Sequence, residues 1–162
     1  MNFPQSRGIV PSAGRLPFNM KEVQIYTDGA CRGNPGHGGW GTILVYGKHE
    51  KELSGGERET TNNRMELTAV IEGLSALKES CKVTVYSDSK YVVDAFLQDW
   101  ITGWKASGFR RGKVKNPDLW ERLLELTEQH QVSFVWVKGH DGHSYNERCD
   151  KLATSFADSF AE

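Results

Sequence analysis

Apolar and polar residues alternate along "EVQIYTDG" (22–29) and then stop at a glycine, the pattern of a half-buried strand. "GWGTILVYG" (39–47) and "KELSGG" (51–56) read as two more strands with short turns, so a three-stranded meander is expected first. The period then changes. From Asn62 to Lys78, the residues Leu67, Val70, Leu74 and Leu77 recur at three- and four-residue steps. At about 100° per residue they share one stripe of a helix. "KVTVYSD" (82–88) returns to a strand rich in β-branched residues, and Ser89 can cap a helix through about Leu97. "NPDLWERLLELTEQH" (116–130) is a predicted helix with an Asn cap and Pro117 in its first turn. "VSFVWV" (132–137) is nearly all apolar, as expected for a strand buried on both faces. From Tyr145 to about Phe160, Cys149, Leu152, Phe156 and Phe160 line one stripe of a final helix. This order predicts an α/β fold: a five-stranded mixed sheet, three strands antiparallel and the rest parallel, flanked by helices.

Composition narrows the class. A chain of 162 residues is long enough to bury one core, and residues 20–162 read as a single domain. Lys+Arg is 20 and Asp+Glu is 21, a net charge of −1, which argues against a wholly basic nucleic-acid binder but leaves room for a local basic patch. Three cysteines without a CxxC spacing suggest free thiols in a reducing, cytoplasmic setting. The chain has no run of about 18 apolar residues, so no membrane span is expected. Residues 1–19 hold Pro4, Pro11 and Pro17, two arginines and no acid, and read as a flexible arm.

"TTNNRMEL" (60–67) breaks the pattern. Glu66 falls on the core side of its helix with Val70 and Leu77, and no lysine or arginine shares that stripe. An unpaired buried carboxylate costs several kcal/mol or loses its charge. Either a cation compensates it, or it supports the helix dipole near the first turn and reaches solvent. Three more acids stand at element ends: Asp28 after the first strand, Asp88 after the fourth, and Asp150 early in the last helix. Asp28 and Asp88 could be turn residues, and Asp150 a dipole partner. Four such acids from four elements favour a shared site for a hard cation, Mg²⁺ or Mn²⁺ rather than Zn²⁺. Two ions about 4 Å apart would form the phosphoryl-transfer arrangement.

"KGHDGHSYNERCD" (138–150) adds His140 and His143. With Cys149 they could form a zinc site, although the spacing matches no strong zinc pattern. His140 is better suited as a mobile general acid/base, and His143 as a hydrogen-bonding loop residue. Between two helices lies "DWITGWKASGFRRGKVKNP" (99–117). Lys105, Arg110, Arg111, Lys113 and Lys115 are interleaved there with Trp100, Trp104 and Phe109, and no acid occurs from 100 to 117. Such a basic protrusion can track phosphates while its rings pack on sugars or bases. One of the tryptophans is expected to dock the segment on the body.

"YTDGACRGNPG", "TTNNRMEL", "SDSKYV" and "VKGHDGHSYNERCDKLA" together resemble, in order and spacing, the signature blocks of bacterial type 1 ribonucleases H. The likeness runs from about Lys21 to Ala157. It implies the ribonuclease H-like fold and endonucleolytic cleavage of the RNA strand of RNA–DNA hybrids, leaving 3′-hydroxyl and 5′-phosphate ends, with a role in replication and repair. It implies Asp28, Glu66, Asp88 and Asp150 as ligands of two Mg²⁺ ions, with Mn²⁺ a possible substitute, and His140 as an aid to proton transfer or product release. Cys31, Asn34, Asn62 and Asn63 match positions near the RNA strand, and Asn34 and Thr61 positions that hold a DNA-strand phosphate. Trp100, Trp104, Lys105, Phe109, Arg110, Arg111 and Lys113 match the hybrid-gripping protrusion. Phe109 stands where several relatives have tryptophan, the loop after it is a few residues shorter, and Asp141 puts an acid beside His140.

Two other readings compete. Nucleases, integrases and transposases of related fold also use acids, but are not expected to carry the "TTNNRMEL" and "GHDGH" blocks. A non-catalytic binder should have lost at least one acid, and all four are present. A monomer is expected, since no heptad run suggests a coiled coil.

Overall fold

The computed structural model describes residues 20–139 and 144–161. The arm expected over residues 1–19 lies outside them. Strands β1 (Glu22–Gly33), β2 (Gly36–Tyr46) and β3 (His49–Thr60) form the antiparallel meander. Helix α1 (Asn62–Ser75) follows, then β4 (Lys82–Ser87), which pairs parallel to β1. Next come α2 (Lys90–Leu97), two short helices α3 (Trp100–Ala106) and α4 (Gly108–Gly112), and α5 (Pro117–Glu128). Strand β5 (Gln131–Trp136) pairs parallel to β4, and α6 (Ser144–Asp158) ends the fold. The sheet order is β3-β2-β1-β4-β5, so the expected five-stranded mixed sheet is the one observed.

Side chains alternate across β2. Thr42 Oγ1 donates to the Ala69 carbonyl of α1 at 2.7 Å. On the other face, a Cβ at Gly41 would collide with the Cys149 carbonyl of α6. The two helices therefore sandwich the meander, and the core continues through α2 and α5 under β4 and β5. Val23, Ile25, Leu67, Val70, Leu74, Val83 and Val85 are fully or almost fully buried there, with Trp120 of α5 at its far end. Burying a large side chain such as Trp120 contributes on the order of 2–3 kcal/mol.

Three expectations need correction. β5 is an edge strand, not a strand buried on both faces: Val135 and Trp136 are 38% and 41% exposed. Its apolar run reflects two buried positions, Phe134 and, just past the strand, Val137, and an aromatic reserved for another task. Helix α1 stops at Ser75 rather than Lys78, with Ala76 as its C-cap, and Leu77 is buried from the turn beyond. Asn116 does not cap α5 with its side chain. Its backbone is left-handed (φ 59°), and its amide is used elsewhere: Oδ1 accepts from Arg64 and Nδ2 donates to the Tyr91 hydroxyl. Cys31, Cys81 and Cys149 are free thiols, as expected. Among the described residues no helix is long and apolar enough to cross a membrane.

Candidate metal centre

The parallel pairing of β1 and β4 ends at Tyr26 opposite Tyr86. Two residues further along each chain stand Asp28 and Asp88. Asp28 is not at the strand's end, since β1 runs on to Gly33 in its hairpin with β2. It stands where the neighbour on the other side has stopped, which opens a crevice. Asp88 is steadied from β5, where Trp136 Nε1 donates to its backbone carbonyl at 3.2 Å. The third acid comes from α1. Thr61 caps that helix, its hydroxyl accepting from Arg64 N–H at 3.3 Å, so Glu66 lies in the second turn. The helix start lies directly on β1: a Cβ at Gly29 would fall 2.5 Å from Glu66 N and 2.7 Å from the Met65 carbonyl carbon. Only glycine permits that approach.

The result is a tight group of carboxylates. Asp28, Glu66 and Asp88 each offer an oxygen, all within 4.8 Å of one another. Asp150 of α6 lines the same pocket, together with Gly29, Asn62, Asn63, Ser89, Lys90 and Tyr91. Glu66 does not reach solvent. It is 5% exposed, and among the described residues its buried Oε1 has no hydrogen-bond partner. Asp28 is 9% exposed.

Such a group resists ionisation. Burial raises the Asp28 pKa first, and the Asp88 and Asp150 charges add to it. The Gly29 N–H, 2.9 Å from Asp28 Oδ1, works the other way and does not win. The pKa of Asp28 is raised to about 8. Burial, then Asp28 and Asp88, push Glu66 well above the ordinary glutamate range. A divalent cation reverses that logic by supplying the missing charge. Oxygen-only donors, one of them buried and unpartnered, fit a hard cation of the Mg²⁺ or Mn²⁺ type. The zinc alternative loses its sulfur ligand. Cys149 is buried, its Sγ donates to the Tyr26 carbonyl at 3.2 Å, and burial drives its thiol pKa up, away from thiolate. His140, Asp141 and His143 lie outside the described residues.

The expected substrate contacts divide into several groups. Asn62 and Asn63, the first residues of α1, open onto the acid pocket. Asn34 and Cys31 are tied into the protein: Asn34 Oδ1 accepts from Asn62 N–H at 3.1 Å, and Cys31 Sγ reaches the Gly36 and Thr60 carbonyls at 3.5 and 3.4 Å. Thr61 is engaged as the cap. In the protrusion, Trp104 packs edge-on against Trp120 at 5.1 Å and is the docking tryptophan, whereas Trp100 is 43% exposed. Asp99, Trp100, Gly103, Trp104 and Arg110 line a second cavity, which shares no residue with the acid pocket. Lys105 pairs with Glu128 at 2.7 Å. Phe109 is partly buried against the core, Arg111 lies within α4, and Lys113 is the C-cap residue after it.

Two residues were not anticipated. Lys90 lines the acid pocket, and its Nζ sits 4.9 Å from the centre of the exposed Trp136 ring. Arg64 grips Asp118 with two nitrogens at 3.1 and 2.9 Å and Asn116 at 3.1 Å, fastening the start of α1 to α5. In the sequence the only signals are the Ser89 cap before Lys90 and the polar face on which Arg64 falls.

The RNase H family model matches residues 20–158. Among curated proteins, the Ribonuclease H of Rippkaea orientalis is 61% identical over 136 residues, covering 82% of this chain and 83% of that protein. The Ribonuclease H of Syntrophus aciditrophicus is 57% identical over 150 residues, covering 91% and 87%. Among solved structures, LC9-RNase H1, a type 1 RNase H with the type 2 active-site motif, superposes with a TM-score of 0.80 at 31% identity, covering 89% of this chain and 75% of that one. LC11-RNase H1 in complex with an RNA/DNA hybrid superposes at 0.66 with 27% identity, covering 86% and 99%.

Proposed function

The chain belongs to the ribonuclease H family of metal-dependent hydrolases, and from that premise we propose that it cleaves the RNA strand of RNA–DNA hybrids using two divalent cations, Mg²⁺ or in its place Mn²⁺. The observation that carries the reading is the group formed by Asp28, Glu66 and Asp88, with one Glu66 oxygen buried and, among the described residues, unpartnered. A purely binding protein gains nothing from acids that repel phosphate. A relative of the same family, LC11-RNase H1, is known with an RNA/DNA hybrid, which supports the substrate.

In this reading Asp28, Glu66, Asp88 and Asp150 would hold the ions, Asp28 with Glu66 and Asp88 at one position and Asp28 with Asp150 at the other. When bound, the ions supply positive charge at the phosphate and make water a competent nucleophile at neutral pH. The protein's own groups hold and read the hybrid. Asn62 and Asn63 present amides that both donate and accept, suited to 2′-hydroxyls, which only the RNA strand carries. Lys90 adds a cation at the rim, held over Trp136. Trp100 and Arg110, around the second cavity, suit the backbone and sugars of the hybrid. Each hydrolysis consumes one water. The bond from phosphorus to O3′ breaks, the phosphate stays on the 5′ end of the downstream fragment, and the departing O3′ takes up a proton. His140 is assigned to that proton traffic or to product release. The same reading makes the protein a cytoplasmic monomer acting on hybrids and primers left by replication and repair.

The test is direct. An end-labelled RNA–DNA hybrid is incubated with the purified protein, with Mg²⁺ and with EDTA, beside RNA–RNA and DNA–DNA duplexes. Cuts confined to the RNA strand of the hybrid, and only with metal, are expected. Tight, salt-sensitive hybrid binding without cleavage would overturn the enzymatic reading in favour of a binding module.

A further inference from the structure

Three tyrosines form a line across the sheet, just behind the acids. Tyr26 and Tyr86 are partners in the parallel register and stack with centroids 4.8 Å apart. Each stands two residues before an acid, Asp28 and Asp88. Tyr145, in the first turn of α6, stacks on Tyr26 as well, at 4.5 Å. Its hydroxyl donates to Glu50 Oε1 at 2.7 Å. The other Glu50 oxygen accepts from Arg148 Nη1 at 3.0 Å, and Arg148 Nη2 donates to Glu52 at 2.6 Å. Glu50 and Glu52 both belong to β3, two residues apart and so on one face. The start of α6 is thus tied sideways to β1 through an aromatic stack and to β3 through a fork of charged hydrogen bonds.

These ties do something that the close contact at Gly41 does not. The approach of Gly41 to the Cys149 carbonyl sets how far α6 stands from the sheet. Gly39 against Ala153 and Ala157, the Cys149 Sγ bond to the Tyr26 carbonyl and the Arg32–Asp158 pair hold the helix to β1 and β2. The Tyr145 and Arg148 ties add the restraint on its β3 side against a turn about its own axis. A side chain ends roughly 6 Å from a helix axis, so a turn of about 20° would carry the Asp150 carboxylate some ~2 Å sideways. That is a large fraction of the 4.8 Å that spans the other three acids. The polar ties lie at the surface, with the Arg148 side chain 40% exposed, so they add little to stability. Their fixed fork geometry is what orientation requires.

We propose that Tyr145, Glu50 and Arg148 form a positioning unit that, together with the Cys149 bond to β1, sets the rotation of the first turns of α6, and with it the distance at which Asp150 meets Asp28 to hold a cation. This rests on the four-acid reading above. Full-length Tyr145→Leu and Glu50→Ala are compared with wild type and with Asp150→Asn in three measurements. The first is Mn²⁺ binding to the hybrid-free protein by calorimetry. The second is amide hydrogen exchange over residues 146–151. The third is the split of kcat from KM at low and high Mg²⁺. Supporting-residue substitutions typically cost about 10-fold in metal affinity, and that loss is expected in both variants. Exchange in the first turns of α6 should quicken, KM for hybrid should stay within about twofold, and kcat should recover at high Mg²⁺. Should Tyr145→Leu fail to fold, Tyr145→Phe keeps the stack, loses the Glu50 bond and is expected to show the same signs. Wild-type Mn²⁺ binding and exchange in these variants, with Asp150→Asn impaired, would overturn the proposal while leaving the four-acid site standing. Unchanged Mn²⁺ binding in Asp150→Asn would remove the site reading and the proposal with it.

Discussion

Replacing Asp28 by Asn should abolish turnover and yet stabilise the metal-free protein. The Asp28 pKa is about 8 in the folded state against an ordinary 3.8. A raised carboxyl pKa has a definite sign in linkage. The stability it contributes is fully present below the unfolded value and is lost as pH rises through the folded one. Over the full window, 8 − 3.8 is 4.2 pH units, or roughly 6 kcal/mol at 1.36 kcal/mol per unit. At pH 7 only 7 − 3.8 counts, which is 3.2 units and about 4 kcal/mol. Asn cannot ionise, so it escapes this penalty. It gives up the strong acceptor for Gly29 N–H, and the neighbouring acids relax once Asp28 is gone, so a net gain of about 1–3 kcal/mol is expected. For a chain of this size that is a rise of roughly 3–10 °C in Tm. The assay is thermal unfolding by circular dichroism in EDTA at pH 4.5, 6, 7 and 8. The difference between variant and wild type should grow steadily with pH and shrink when Mg²⁺ is added, because the ion stabilises only the folded wild type. A variant no more stable than wild type at pH 7, with a difference flat in pH, would refute the argument that burial and like charge dominate this site.

Metal binding at pH 7 should release protons, because Asp28 and Glu66 are raised in the metal-free state; calorimetry in buffers of different ionisation enthalpy should give a Mn²⁺ heat that varies with buffer, and equal heats would contradict it. Gly29→Ala should lower stability by about 2–4 kcal/mol and weaken Mn²⁺ binding, since the added methyl must push α1 from β1; denaturant melts and the same calorimetry check both effects. Trp104→Ala should cost about 3 kcal/mol through its lost packing on Trp120, whereas Trp100→Ala should leave the melt unchanged and weaken hybrid binding in a filter or anisotropy assay. Lys90→Gln should lower the salt slope of hybrid binding by about one unit; an unchanged slope would remove Lys90 from the phosphate contacts.

Much of this protein was legible in its residue pattern because local rules and tertiary demands agree. The alternation in β1, the apolar stripe of α1 and the caps Thr61 and Ser89 each encode a hydrogen-bonding or burial need met within a few residues. The four acids stood out as candidates because each breaks such a pattern or follows its apparent end, although β1 runs on past Asp28 to Gly33. What the pattern could not express is the order of strands. The near-continuous apolar run of β5 reads as central, yet the crossover through α5 leaves it at the edge, where Trp136 turns to Asp88 and Lys90. Asn116 looks like a cap, yet Arg64 and Tyr91, 52 and 25 residues away, compete successfully for its amide. Most of all, nothing local says that Gly29 must lack a side chain, or that Tyr145 will lie on Tyr26. Which groups carry charge and which segments bury an apolar face follow from the residues alone, because solvation and backbone hydrogen bonding act residue by residue. That the carboxylates meet is a consequence of packing, because their separation is set by close backbone contact between elements far apart in the chain, and the electrostatic cost of that meeting exists only once water has been excluded from between them.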